Sequence, residues 1–372
     1  MEKFKFALGL ENNNQLLLNL RMPQVEQGLL REACEKAIQE NQLSNQIWLA
    51  SSGTTGKPKL FSFQESALQC AAKSLCSYLN LGSSDIVFNS LPLFHIGGLM
   101  MWVRAQSIDA VFIDHDQAWN PTHYHEQWIQ NSVTFISLVP TQLYDLVQLN
   151  LSAPPAIKHV LIGGGGISNH LFDKAMDLGW PILQSFGMTE TAAAFCVKRN
   201  EADFFILPHI KLKTDQDQRL WVSGDSLYSH RSAWDAKCGS YKLSSLGKGE
   251  WYLSEDRAQI HSQSGRLNLL GRHDSDFIKI GGESVHLGNL NLKLQEVLLM
   301  LDLRLQDFAL VPKTSERLGV EICLYVRPCD PEIVNKVTES FNHLVMPFER
   351  IRSVNHVDQI QFSELGKLKK EQ

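Results

Sequence analysis

Apolar positions in the first 200 residues follow two rhythms that take turns along the chain. Short runs, nearly unbroken, recur at Ile47-Trp48-Leu49-Ala50, Ile86-Val87-Phe88, Ala110-Val111-Phe112-Ile113, Phe135-Ile136-Ser137-Leu138-Val139 and His159-Val160-Leu161-Ile162. Runs of this length rich in Val, Ile and Phe read as buried strands. Between them apolar residues return at helical spacing over residues 24–40, 66–79 and, behind Pro140, 141–150, and an apolar helix begins at 99–104. Strand and helix in alternation predict an α/β fold, with mostly parallel sheets in a large N-terminal domain. From about 205 to 270 the pattern changes to short strands broken by turns, such as Arg219-Leu220-Trp221-Val222, which predicts a small β subdomain. Beyond Arg272, a helix over 287–301, strands over 308–311 and 320–326 and a helix over 331–344 predict a small α+β domain. The boundary falls near Asp274, giving domains of residues 1–273 and 274–372.

Composition adds mainly exclusions. With 372 residues, 44% of them hydrophobic, there is material for two buried cores. A net charge of −5 without a basic stripe implies no general attraction to nucleic acid or to an anionic membrane. Seven scattered cysteines without a C-x-x-C pair argue against a disulfide framework or a zinc site, and fit a reducing, cytoplasmic setting. The N-terminal apolar patch is too short for a signal peptide, and no run is long enough to span a bilayer. His123-Tyr124-His125-Glu126 has no third ligand at suitable spacing and reads as a solvated helix start.

The densest chemistry follows the first apolar run. Ser51-Ser52-Gly53-Thr54-Thr55-Gly56-Lys57-Pro58-Lys59 combines small hydroxyls, glycines that let backbone approach an anion, and ammonium groups, which together suit phosphate oxygens. It is not a Walker A loop: only two residues separate Gly53 from Gly56, and Pro58 follows the lysine. Pro58 lacks an N–H and disfavours helix at Lys57, so the loop is expected to cover the phosphates as a flap.

This loop resembles the signature of the acyl-adenylate-forming superfamily, which includes acyl-CoA synthetases, luciferases and peptide-synthetase adenylation domains. Further matches arrive in order: Gln184-Ser185-Phe186-Gly187-Met188-Thr189-Glu190-Thr191, Gly271-Arg272-His273-Asp274 with Gly281-Gly282-Glu283, and Gly366-Lys367. The resemblance runs from about residue 47 to the end of the chain, and the segment ahead of the loop is shorter than usual in that family. It implies ATP, Mg2+ and coenzyme A as cofactors or cosubstrates, a small carboxylic acid as partner, and a C-terminal domain that moves about a hinge at Asp274 or Ser275. A homodimer is left open.

The resemblance also distributes roles. Ser51, Ser52, Gly53, Thr54, Thr55, Gly56 and Lys57 would hold the ATP phosphates. Thr189 would face the α-phosphate and Glu190 would ligate magnesium, a hard cation that takes carboxylate oxygen. Gly163, Gly164 and Gly165 would form one wall of the adenine site, with Ser185, Phe186 and Gly187 opposite. Asp256 would take the ribose hydroxyls, although Ser254-Glu255 stands where relatives have a Thr-Gly pair. Arg272 would reach ribose or phosphate oxygens. Gly281 and Gly282 would line the pantetheine tunnel. Lys367 would be the catalytic lysine, bridging the attacking carboxylate and the α-phosphate.

The choice of acid rests on Ser90-Leu91-Pro92-Leu93-Phe94-His95-Ile96-Gly97-Gly98-Leu99, where His95 would gate the acyl pocket. Arg104 follows on an apolar stretch, where a charge is expensive unless paired. It reads either as a helix residue whose head reaches solvent or as a clamp for a second substrate carboxylate. Pro-Leu-Phe-His followed by an arginine at this spacing is similar to the o-succinylbenzoate–CoA ligase family of menaquinone biosynthesis. That similarity implies conversion of 2-succinylbenzoate to its CoA thioester through an acyl-AMP. Two alternatives stay open: a ligase for another aryl or medium-chain acid, and a homologue that binds nucleotide without catalysis.

Overall fold

A computed structural model describes residues 7–20, 22–51, 58–115, 117–235, 237–261, 264–272 and 277–360. They fall into two compact units, one holding the described residues up to 272 and the other those from 277 onward.

The first unit contains an eleven-stranded sheet whose strands are parallel at one end. Val111–Asp114, Ile86–Asn89, Phe135–Leu138, His159–Ile162 and Ile182–Met188 lie side by side in that order, all parallel. Helices Ile96–Ser107, Pro121–Gln130, Pro140–Gln148 and Asn169–Asp177 connect them, the pattern expected when both faces of a parallel sheet are covered. Phe88, Trp128, Ile136, Leu143, Leu146, Val160 and Trp180 make the core on one side. Six antiparallel strands continue the sheet from Ile182–Met188, in the order Ala193–Lys198, Phe204–Ile206, Arg266–Arg272, Tyr252–His261, Arg219–Gly224 and Ile210–Thr214.

A second sheet has six strands: Leu8–Gly9, Gln15–Leu17, Gln46–Ser51, Lys59–Gln64, His230–Asp235 and Ser240–Ser245. The β-rich stretch predicted over 205–270 thus contributes to both sheets. Gln46–Ser51 and Lys59–Gln64 are antiparallel neighbours with Ser51 opposite Lys59, so the segment read as a phosphate loop joins two paired strands.

The second unit opens with a hairpin in which Ile280 faces Glu283 across Gly281 and Gly282. Their φ values of 60° and 93° are left-handed, the conformation a type I′ hairpin turn requires at both positions, and glycine adopts it without steric cost. Helix Leu287–Met300, the antiparallel pair Phe308–Ser315 and Gly319–Val326, helix Pro331–Leu344 and strand Ile351–His356 complete it. Asp330 caps the second helix by accepting from the Glu332 N–H at 2.9 Å, with proline at the first helical position. Leu294, Val297, Leu310, Ile322, Leu324, Val337 and Phe341 form its core. No helix among the described residues is long and apolar enough to cross a membrane.

Candidate active site

The hairpin between Ile182–Met188 and Ala193–Lys198 carries the most constrained part of the site. Thr189, Glu190 and Thr191 form a 3-10 turn at its tip, and Ala192 and Ala193 take left-handed φ values of 55° and 71°. Fully buried Thr191 ties the turn: its hydroxyl lies 3.1 Å from the Met188 carbonyl and 3.0 Å from that of Ala193. Gly187 leaves no choice of residue, because a Cβ there would sit 2.0 Å from the Ala193 carbonyl oxygen.

Glu190 is held at both ends. Its carbonyl accepts from the Tyr228 N–H at 3.0 Å, and its Oε1 accepts from the Tyr252 hydroxyl at 3.2 Å. Burial raises the Glu190 carboxyl above the usual carboxylate range, against the pull of Lys59 and the Tyr252 hydrogen bond, and the charge of Asp256 adds to the rise. Glu190, Lys59, Tyr252 and Asp256 therefore share one electrostatic neighbourhood. Lys59 was one of the two lysines expected to hold phosphate oxygens, and Tyr252 had no expected role. Lys59 was visible inside the phosphate-loop motif, but nothing in the sequence points to Tyr252.

Asp256 lies on Tyr252–His261, directly opposite Arg272 in the strand register. Its N–H donates to the Ser254 hydroxyl at 3.2 Å. Ser254 is buried and Glu255 is exposed, so strand alternation turns the Glu255 side chain toward solvent rather than alongside Asp256.

The glycines after His159–Ile162 meet the same hairpin. The Gly163 N–H donates to the Leu138 carbonyl at 3.1 Å, and a Cβ on Gly163 would approach the Ser185 hydroxyl to 3.0 Å. Ser185 in turn donates to the Ile162 carbonyl at 3.0 Å. Gly164 takes a φ of 80°. Phe186 packs edge-on against Phe195 with ring centroids 5.1 Å apart. Bare backbone at Gly163 thus faces Ser185 at close range.

His95 immediately precedes helix Ile96–Ser107, half-buried, with its ring 4.6 Å from that of Phe94. The turn before it is tight: the His95 N–H donates to the Pro92 carbonyl at 3.0 Å, and a Cβ at Gly98 would come within 2.3 Å of that carbonyl oxygen. Arg104, on the same helix, is 1% exposed. Its Nη1 points at the Met101 sulfur at 3.5 Å and its Nε has no partner. Among the described residues no carboxylate lies within ion-pair distance of it. Burial lowers its pKa to about 10. His209 feels the same charge: burial first, and Arg104 second, push its pKa down to about 4. Of the two readings of Arg104, a head that reaches solvent does not apply.

Ser51 ends its strand half-buried. Ser52, Gly53, Thr54, Thr55, Gly56, Lys57, Asp274 and Lys367 lie outside the described residues, and of Arg272 only the backbone is described.

Residues 21–218 match the family of AMP-binding enzymes. The chain is similar to 2-succinylbenzoate–CoA ligase of Escherichia coli, with 31% identity over 242 residues that cover 63% of this chain and 49% of the relative. The corresponding ligase of Bacillus subtilis is 32% identical over 170 residues, 44% of this chain and 34% of the relative. The chain spans about half the length of the curated relatives it matches. In structure it resembles a double mutant of o-succinylbenzoate CoA synthetase from Bacillus subtilis bound with a product analogue, with a TM-score of 0.75 at 21% identity over 95% of this chain and 81% of that one. An amide bond synthetase from Marinactinospora thermotolerans gives a TM-score of 0.70 at 19% identity over 87% and 68% of the two chains.

Proposed function

This chain belongs to the family of AMP-binding enzymes, and we propose that it is an ATP-dependent acid–CoA ligase acting in the cytoplasm, with 2-succinylbenzoate as its acid. The observation that carries the reading is the setting of Glu190: a partly buried carboxylate fixed by Tyr252, beside Lys59 and Asp256, on a hairpin with no room for a side chain at Gly187.

The acid's carboxylate attacks the α-phosphorus of ATP, the bond to the β-phosphate oxygen breaks, and acyl-AMP and pyrophosphate form. The CoA thiol then attacks the acyl carbon, AMP leaves, and the thiol proton passes to solvent. Two anions must meet in the first step, so fixed positive charge and oriented donors lower its barrier most. Glu190 fits a hard divalent cation: it offers carboxylate oxygen, and the Tyr252 hydroxyl holds that carboxylate in place. Magnesium bound there would screen the charge that builds on the phosphates. Ser51 to Lys57 would grip those phosphates, and Thr189 would donate to the α-phosphate. Gly163 to Gly165 and Ser185 to Gly187 would enclose adenine, and Asp256 with Arg272 would take the ribose. Lys367 would bridge the reacting carboxylate and phosphate, Asp274 would be the hinge, and Gly281 and Gly282 would line the path of pantetheine. His95 would border the acyl pocket. Arg104 would hold the carboxylate that is not activated, since a buried guanidinium that meets no carboxylate among the described residues would be compensated by an incoming anion.

The test is pyrophosphate release from MgATP over a panel of carboxylic acids, with and without CoA. Selective turnover of 2-succinylbenzoate is expected. Turnover of a monocarboxylate instead would keep the ligase and discard the role of Arg104. Silence with every acid despite ATP binding would leave a nucleotide-binding homologue.

A further inference from the structure

The torsion that orients a glutamate carboxylate is broad, so packing of the stem alone does not decide where its two oxygens point. Something else has to fix Glu190 if it is to hold a cation in one place. The Tyr252 hydroxyl donates to Oε1 at 3.2 Å, a contact between residues 62 positions apart in the chain. Tyr252 is itself held. Its ring meets Tyr228 edge-on with centroids 5.7 Å apart, and Tyr228 meets Phe61 edge-on at 5.1 Å. Phe61 belongs to Lys59–Gln64, the strand that follows the candidate phosphate loop. Tyr228 also donates its N–H to the Glu190 carbonyl. One aromatic pair therefore grips the main chain of Glu190 through one member and its carboxylate through the other. A phenol is protonated at neutral pH, so the Tyr252 hydroxyl is a donor.

We infer that Tyr252 is a positioning residue for Glu190: by occupying Oε1 it fixes the plane of the carboxylate and leaves Oε2 directed to a divalent cation. The inference rests on the reading of Glu190 as the magnesium ligand. Partners of metal ligands that act in this way commonly change metal affinity by about 10- to 100-fold when removed.

Mn2+ binding by electron paramagnetic resonance, in the presence of a non-hydrolysable ATP analogue, separates the possibilities without turnover. Tyr252→Phe, which keeps the ring packing and removes only the hydroxyl, is expected to weaken Mn2+ binding about ten-fold with an unfolding midpoint close to that of the wild type. Glu190→Asp draws the carboxylate back from the hydroxyl. Adding Tyr252→Phe to it should then weaken Mn2+ binding no further, and a further loss as large as that of Tyr252→Phe alone would show that the hydroxyl does not act through the Glu190 carboxylate. If Glu190→Gln weakens Mn2+ binding while Tyr252→Phe matches the wild type, the positioning role is wrong and the ligand assignment stands. If Glu190→Gln leaves Mn2+ binding unchanged, the ligand assignment fails and this inference falls with it.

Discussion

Gly187 and the carbonyl of Ala193 are so close that a single added methyl would lie 2.0 Å from the oxygen. The contact crosses the hairpin whose tip carries Thr189 and Glu190, and the obstacle is backbone, which cannot rotate aside. Gly187→Ala must therefore prise the two strands apart and move the tip. We expect a loss of about 2–3 kcal/mol in unfolding free energy, within the usual range for overpacking, and loss of nearly all acid-dependent pyrophosphate release. Gly166→Ala is the control, since nothing lies within 4 Å of its added carbon. Urea unfolding and a pyrophosphate assay on both variants decide the matter. A Gly187→Ala protein with unchanged activity would show that the hairpin tip tolerates displacement.

Arg104 opposes stability to function. Among the described residues its guanidinium is almost wholly buried, its Nε is unpartnered, and its Nη1 donates to a methionine sulfur. Replacing a buried, poorly compensated charge with an apolar residue of similar volume often stabilises by about 1–4 kcal/mol. Arg104→Met is therefore expected to raise the unfolding free energy by about 1–3 kcal/mol while raising KM for a dicarboxylic acid. KM for ATP should stay close to that of the wild type. Chemical unfolding and initial-rate kinetics with each substrate varied give the answer. A fall in stability instead would mean that the guanidinium has a structural partner.

The Gly281-Gly282 turn lets geometry and role be separated. Both residues are left-handed, and a side chain in that conformation costs about 1–2 kcal/mol per residue. Gly282→Val should lower the stability of the protein by about that amount. If the turn also borders pantetheine, transfer of a supplied acyl-AMP to CoA should slow while formation of acyl-AMP continues. Equal slowing of both steps would reduce the glycines to their part in the hairpin.

Local pattern carried much of the fold and part of the site. The helix read over 24–40 is Gln24–Asn41, and the strand read at 159–162 is His159–Ile162, because burial and spacing there agree with local preference. The helix read to begin at 99 begins at Ile96 instead. Gly97 and Gly98 hide its first turn from a propensity argument, yet close approach to the Pro92 carbonyl requires glycine at 98. The destinations of the strands after 204 were not legible, since each depends on a partner far away in sequence. The same limit hid part of the site. Glu190 stands in a recognisable motif, but its contact with Tyr252 exists only once Tyr252–His261 has found its register in the sheet. Arg104 was visible as an anomaly, a charge on an apolar helix. Its neighbour His209 was not, because nothing near His209 in the sequence indicates burial beside a cation.

His209 makes the stability of this protein sensitive to acid, and the sign follows from linkage. Its folded-state pKa is about 4, against about 6.5 for an unperturbed histidine. Between those values the unfolded chain binds a proton that the folded one refuses, so stability falls as pH drops from 6.5 toward 4. The loss from this residue approaches about 3 kcal/mol at the lower end. His115, His159 and His230 are also held below the usual range, each mainly by burial, and act in the same direction. Urea unfolding at half-unit steps from pH 7.5 to 4.5 should show the decline, and His209→Leu, which has no proton to take up, should flatten it. Burial outranks Arg104 as the cause of the His209 shift. Arg104→Met should therefore flatten the curve less than His209→Leu does, and equal flattening by the two variants would show that the guanidinium, rather than desolvation, keeps the imidazole neutral.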